Sequence, residues 1–431
     1  MARDGVDLPG ASTYLLGIGR RRIARATESD EANPMDFNFT PQEDAFREKV
    51  RTFLRTNLPQ GWGSAEFEMP DEMRGKQFYI QWHRKLYQNG LVGMSWPKEY
   101  GGQGATQVEQ AILNEELARS RAPAPLGGIG LALAGPTLIV HGTDAQKKRH
   151  LQKILAGEEI WCQLFSEPNA GSDLASLRTR AELSGDEFIV NGQKIWTSGA
   201  RTAHFGILLA RTDPAAPKHK GISYFIVDMK SPGITIKPLR QITGESHFNE
   251  VFMDDLRVPR ENLIGKMNDG WHVANTTLAN ERGTGALALL IRFGTQYLEV
   301  VELARNTKRN GRRAVDEPIV RQRLAELYID LQRLKYNVYR GFSAIIKGGT
   351  PGPEGSIQKL VWSELSQRMQ EFALDLQGPA AQLTFREPHA MVGGYHQRMF
   401  LRSRADTIYA GTSEIQRNII AQRVLGLPRT N

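Results

Sequence analysis

Glu187-Phe188-Ile189-Val190-Asn191-Gly192-Gln193-Lys194-Ile195-Trp196-Thr197-Ser198-Gly199 marks the point where the chain changes from a helical to an extended pattern. Residues 187–190 and 194–197 are short runs of strand formers, and the Asn-Gly between them predicts a hairpin turn. Upstream, 178–182 is another extended run, joined to 187–190 through Ser184-Gly185-Asp186. Downstream, 205–210, 223–227, 234–238 and 250–252 continue the pattern, punctuated by Pro214, Pro217, Pro232 and Pro259. Together they predict a compact β domain over 159–265.

On either side the apolar period is helical. Thr40 is placed to cap a helix with Asp44 a turn later, and Phe46, Val50, Phe53 and Leu54 recur at helical spacing over about 41–57. A second periodic stretch covers 77–89, the breaker-rich segment 96–104 interrupts it, and 107–120, 126–141 and 144–156 lack strand alternation. Residues 35–158 therefore read as a helical domain. After the β domain, 270–308, 318–347, 355–384 and 404–424 read as long helices, with a Gly/Pro-rich linker at 348–353 between two of them. Four long segments with short connections predict a four-helix bundle over 266–431, and an α+β protein of three parts. Residues 1–34 carry a short apolar stretch, 14–18, followed by Arg20, Arg21, Arg22 and Arg25, too short for the core of a signal peptide. The expectation is a disordered extension, Met35 opening the first amphipathic pattern; organelle-matrix targeting is the alternative to a cytoplasmic location.

The 431 residues carry a formal charge of +8, with 40% hydrophobic and 24% charged residues, an ordinary globular composition. A surplus so thinly spread favours anionic ligands without indicating nucleic acid. Cys162, the single cysteine, excludes a disulfide framework and a cysteine-rich zinc site, and a reducing compartment fits. No apolar run reaches the roughly 18 residues of a membrane span. The histidines never take a metal-ligand spacing, and neither a Walker A loop nor a GxSxG elbow occurs. Gly283-Thr284-Gly285-Ala286-Leu287-Ala288 formally matches a dinucleotide fingerprint, but inside a helix it lacks the strand-to-helix turn that the chemistry needs.

Three stretches have suggestive chemistry. Ser166-Glu167-Pro168-Asn169-Ala170-Gly171-Ser172-Asp173 is a loop of small residues whose backbone N–H groups can receive phosphate or polar ring edges. Residues 193–199 put Trp196 and two hydroxyls at a strand end, able to stack on and hydrogen-bond a flat cofactor, although a tryptophan there also suits a core. In Tyr409-Ala410-Gly411-Thr412-Ser413-Glu414-Ile415-Gln416-Arg417, Gly411 breaks one pattern and Thr412 or Ser413 can simply cap a final helix.

Taken in order, with 96–104 and Asp255-Leu256-Arg257-Val258-Pro259-Arg260-Glu261-Asn262, these stretches resemble the acyl-CoA dehydrogenase family of flavoproteins, from Met35 to the C-terminus. The resemblance implies an N-terminal helical domain, a middle β domain and a C-terminal four-helix bundle, with FAD held between them across a subunit boundary. It implies Leu164, Ser166, Trp196 and Ser198 at the flavin ring, Thr412 and Glu414 at the pyrophosphate and adenosine, and Gln377-Gly378 at the adenosine of a neighbouring subunit's FAD, with Pro379 and Ala380 where relatives carry further glycines. Ser172 and Arg282 are implied on the acyl-CoA side. The family removes a proton α to a thioester with a carboxylate base. In many members that base is a Glu just before Gly-Thr, where this chain has Ala410. Another branch, including enzymes like isovaleryl-CoA dehydrogenase, carries it on the first long bundle helix, and Leu278-Ala279-Asn280-Glu281-Arg282-Gly283 matches that context. On a helix Glu281 shares a face with Ala274, Thr277 and Leu278, small and apolar enough to raise its pKa; a structural Glu in a salt bridge is the other reading.

The expected function is therefore oxidation of an acyl-CoA in fatty acid or lipid metabolism, with an electron-transfer flavoprotein as acceptor and a homodimer or homotetramer as the assembly. A non-catalytic or half-site partner subunit of a heteromer is the alternative. Ala410 and the small residues Leu131-Ala132-Leu133-Ala134-Gly135 suggest a pocket for branched or ring-bearing acyl groups.

Overall fold

The computed structural model describes residues 39–62, 72–280, 285–346, 352–384 and 387–428. The expected extension 1–34, most of the 348–353 linker, and Glu281, Arg282 and Gly283 lie outside the described residues.

The N-terminal part contains α1 (Pro41–Asn57), α2 (Glu72–Gln88), α3 (Gln107–Arg119), α4 (Gly135–His141) and α5 (Asp144–Ala156). Helix α1 starts where expected, but its cap is a reciprocal box with Glu43 rather than Asp44: Thr40 Oγ1 accepts from Glu43 N, and Glu43 Oε2 accepts from Thr40 N at 2.7 Å. Thr106 with Glu109 and Thr143 with Gln146 repeat the device at α3 and α5. Residues 126–141 are not one helix. A wide π turn, Gly130–Ala134, leads into α4, and a Cβ on Gly135 would fall 2.1 Å from ring carbons of the buried Trp96. The small residues here let an indole pack against backbone.

The middle part is an eight-stranded sheet in the order β6-β7-β3-β2-β4-β5-β8, with β1 pairing parallel to β4. Its strands are β1 (Trp161–Leu164), β2 (Arg180–Ser184), β3 (Glu187–Ser198), β4 (Phe205–Arg211), β5 (Ile222–Asp228), β6 (Ile234–Leu239), β7 (Phe248–Pro259) and β8 (Leu263–Ile264). Gly185-Asp186, read as a join between extended runs, forms a hairpin, with Ser184 paired to Glu187, whereas the hairpin was expected at Asn191-Gly192. That dipeptide sits inside β3 as a bulge against β7, where Asn191 Oδ1 accepts from Asp255 N at 2.9 Å. A Cβ on Gly192 would lie 2.5 Å from Thr179 Oγ1 and 2.7 Å from Thr179 Cα, so close backbone approach, not chain reversal, is what the glycine serves.

The C-terminal part holds α6 (Gly270–Asn280), α7 (Gly285–Asn306), α8 (Pro318–Ile346), α9 (Gly355–Gln377), α10 (Tyr395–Ser403) and α11 (Ser413–Ile419), with two short strands, β9 (Lys308–Arg309) and β10 (Arg312–Arg313), between α7 and α8. Phe293 and Leu303 of α7, Leu331 and Leu334 of α8, and Leu365 and Met369 of α9 form its core. The helix expected over 404–424 is divided. Ala410 and Gly411 both take positive φ, +54° and +88°, which no helix tolerates, and Thr412 caps the new start. Among the described residues no helix is long and apolar enough to cross a membrane.

Candidate active site

Strand β1 delivers the chain into the 165–173 loop. Leu164 is fully buried and pairs with Leu208, its side chain in the core beside Leu208 and Phe225, so it can offer a ligand only backbone. The next three residues are tied to β3. Phe165 O accepts from Lys194 Nζ at 3.0 Å, Ser166 O accepts from Ile195 N at 2.9 Å, and Glu167 Oε1 accepts from Lys194 Nζ at 2.8 Å. Glu167 also accepts from Arg178 N at 2.7 Å and Thr179 N at 2.9 Å. Lys194 is wholly buried, and burial pulls its ammonium down to about 8 against the opposing pull of Glu167. Burial alone would raise the Glu167 carboxyl, yet the Lys194 charge and the hydrogen bonds outweigh it and hold it below its ordinary value.

Directly after Lys194 the β3–β7 register slips again. Trp196 takes φ +61° and stands 58% exposed, edge-on to Phe248 at 5.9 Å; it is not a core tryptophan. Ser198 is exposed at the strand end, and Thr197 between them is buried with an unpartnered Oγ1. An open indole with a hydroxyl beside it and a fixed loop alongside suits a flat, polar-edged ring system such as flavin. Ser172 is exposed at the far end of the loop, next to the Asp173–Lys218 ion pair.

A second group lies in the C-terminal helices. Thr412 Oγ1 caps α11 by accepting from Ile415 N at 3.2 Å, so the capping role is real. With Glu414 it also lines a cavity of about 560 Å³, shared with Glu364, Gln367, Arg368 and Arg417, and the Ser413 hydroxyl is buried nearby without a partner. Glu371 lines it as well, so three carboxylates face two arginines there, and both arginines are already paired, Arg417 with Glu364 and Arg368 with Asp330. Gln377-Gly378 does not line this cavity. Gln377 is buried at the end of α9 with both amide atoms unpartnered, and Gly378 terminates the helix at φ +57°. Ala410 does line up beside the cavity in sequence; its carbonyl accepts from Gln416 Nε2 at 3.0 Å.

Two features escaped the sequence reading. One is the Lys194–Glu167 pair, since a lysine between strand formers gives no sign that it is buried. The other joins the three parts of the molecule. Thr277 Oγ1 of α6 lies 2.8 Å from Thr137 Oγ1 of α4 and 3.0 Å from the Tyr224 hydroxyl of β5, all three residues fully buried. Burial raises the Tyr224 phenol above its ordinary range, so it remains a hydroxyl. Ala274 and Thr277, expected on the face of Glu281, are both fully buried, and α6 ends at Asn280, the residue before Glu281.

Residues 40–158, 162–256 and 268–425 match the acyl-CoA dehydrogenase N-terminal, middle and C-terminal domains. The chain is 42% identical over 404 residues to acyl-CoA dehydrogenase IpdE1 of Mycolicibacterium smegmatis, covering 89% of this chain and 97% of that protein. The solved Tcur3481–Tcur3483 steroid ACAD superposes with a TM-score of 0.77 at 32% identity, over 92% of this chain and 100% of that one. The ChsE4–ChsE5 complex from Mycobacterium tuberculosis gives the same TM-score, 0.77, at 32% identity and the same coverage, 92% and 100%. Three successive domain matches, a near-full-length relative and the observed three-part fold place this chain in the acyl-CoA dehydrogenase family, oxidoreductases acting on CH–CH bonds.

Proposed function

We propose that the chain oxidises an acyl-CoA thioester to the trans-2-enoyl-CoA with FAD, Glu281 taking the α-proton and electrons passing to an electron-transfer flavoprotein. The observation that carries the reading is the exposed Trp196 turn locked to the 165–167 loop, a flat platform at the centre of a chain of this family. Leu164 backbone, Ser166, Trp196 and Ser198 hold the ring, while Thr412 and Glu414 reach the diphosphate and adenosine portions; bound there, FAD would supply a hydride acceptor. Glu281 lies outside the described residues, and its role rests on the match of Leu278-Ala279-Asn280-Glu281-Arg282-Gly283 to the branch that carries a carboxylate base on this helix. Ser172, exposed beside the loop, and Arg282 serve the CoA side. The expected location is cytoplasmic.

For the acyl group we propose a branched or ring-bearing one. Ala410 has no side chain beyond Cβ, and one of the similar solved proteins is named a steroid ACAD; the small residues of 130–135 add no space, since Trp96 and the core fill it. A heteromeric assembly, in which this chain forms part of a shared site, is the second reading. The similarity to the ChsE4–ChsE5 complex supports it.

Purified alone, the chain is expected to be yellow and to bleach on anaerobic addition of acyl-CoA; a colourless chain that turns over only with a second subunit supports the heteromer. Glu281→Gln is expected to keep flavin and lose activity by 10²- to 10⁴-fold or more, roughly the contribution of a general base. Near-normal turnover in that variant removes Glu281 from the role. Comparing kcat/KM for straight-chain, α-methyl and ring-bearing thioesters is expected to favour the bulky ones, because each methylene left unburied forfeits about 0.8 kcal/mol. A clear optimum at an unbranched medium chain contradicts the pocket reading.

A further inference from the structure

The two segments proposed to face the flavin are remote in sequence, 164–166 at the end of β1 and 196–198 at the end of β3, and a set of short contacts ties one to the other within the sheet. Ser166 is flanked by the two residues that Lys194 grips: Phe165 through its carbonyl at 3.0 Å and Glu167 through its carboxylate at 2.8 Å. Lys194 stands two residues before Trp196, and Ile195 between them donates its N–H to Ser166 O at 2.9 Å. Glu167 is anchored in turn by the N–H groups of Arg178 and Thr179, at the entrance to β2. The chain of contacts therefore runs from β2 through Glu167 to Lys194. On the far side of Lys194, β3 leaves its ladder with β7 and turns Trp196 outward.

We propose that Lys194 and Glu167 are positioning residues for the flavin: their buried ion pair sets the 165–167 loop and the Trp196 turn in one register, and so shapes the surface on which the ring lies. This rests on the FAD reading above. A fully buried charge pair is an expensive way to join a loop to a strand, since apolar residues of similar volume do so at least as stably. What the ion pair adds is direction. An ammonium with one carbonyl and one carboxylate in reach fixes the loop along and across the strand, whereas a hydrophobic contact allows sliding.

The test compares wild type with Glu167→Gln, which keeps an acceptor and removes the charge, and with Lys194→Met/Glu167→Gln, which leaves no buried charge unpaired. Three quantities are read: the FAD dissociation constant of the apoprotein, the visible absorption of the bound flavin, and the Tm of the apoprotein. The expected result is FAD binding weakened by about tenfold or more, with displaced absorption bands, and flavin reduction by acyl-CoA slowed by up to about 10²-fold. Variants whose FAD affinity and spectrum equal wild type overturn the proposal, even if their Tm falls, because that leaves the pair a purely structural role. Should the double variant not fold, Glu167→Gln decides by the same readouts. Wild-type protein that binds no FAD at all overturns the cofactor reading instead, and so separates the two failures.

Discussion

His396 is 1% exposed, with Nδ1 at 3.2 Å from Gln370 Oε1, an arrangement that suits a neutral ring donating from Nδ1. Burial pushes its imidazole down to about 4 from an ordinary 6.5. Between those values the unfolded chain binds a proton that the folded chain does not, so stability is full above about pH 6.5 and falls as the pH drops towards 4, by at most about 3 kcal/mol. Burial lowers His83 too, with the same sign, whereas the raised carboxyl of Glu299 acts in the opposite sense. Thermal unfolding from pH 7 downward is expected to show a falling Tm, and His396→Gln, which keeps a donor for Gln370, is expected to flatten that slope; an unchanged slope removes His396 as the cause. At this scale the sequence was uneven. Gly411 and Thr412 announced a helix break and a cap because both act locally. Lys194 and His396 announced nothing, since burial of a polar side chain is decided by elements distant in sequence.

The buried charge network between α1 and α3 shows how two elements can depend on one side chain. Arg47 meets Glu115 at 2.8 Å and also pairs with Glu116, while Arg119 reaches Glu115 at 2.7 Å and Arg51 reaches Glu116 at 3.0 Å. Burial would raise the Glu115 carboxyl, but Arg47 and Arg119 prevail and keep it below its ordinary value. Arg47→Met leaves two nearly buried carboxylates short of a partner and is expected to destabilise the protein by about 3–5 kcal/mol, measured by denaturant unfolding. A loss below about 1 kcal/mol, the range of exposed pairs, means that solvent or Arg51 and Arg119 replace it. Elements with apolar periodicity and an N-cap, such as α1, α3 and α5, were legible to within a residue or two. Helix α10 was not, because the residues it buries are His396, Gln397 and Ser403, on which a hydrophobic pattern is silent. Strand β7 was seen only at 250–252, since Asp254-Asp255 interrupts its alternation while the strand continues to bury Leu256 and Val258.

Across the whole molecule the existence of three parts was legible because the apolar period changes from helical to alternating and back. Their mutual placement was not, because it depends on contacts such as Thr277 with Thr137 and Tyr224, which no local pattern encodes. Thr277→Val keeps the shape but leaves two buried hydroxyls to each other, and is expected to cost about 1–3 kcal/mol. If Glu281 is the base, the same variant is expected to lower kcat more than it raises KM, because Thr277 stands four residues before it in sequence; an equal loss in a straight stability assay with unaltered kcat confines Thr277 to architecture. The hub has a consequence for motion as well. One hydroxyl oxygen serves α4, β5 and α6 at once, so a movement of any one of them disturbs the same buried cluster. Amide hydrogens around Thr137, Tyr224 and Thr277 are then released to solvent exchange through a shared opening rather than three separate ones, and the seam between the domains breathes as a single unit.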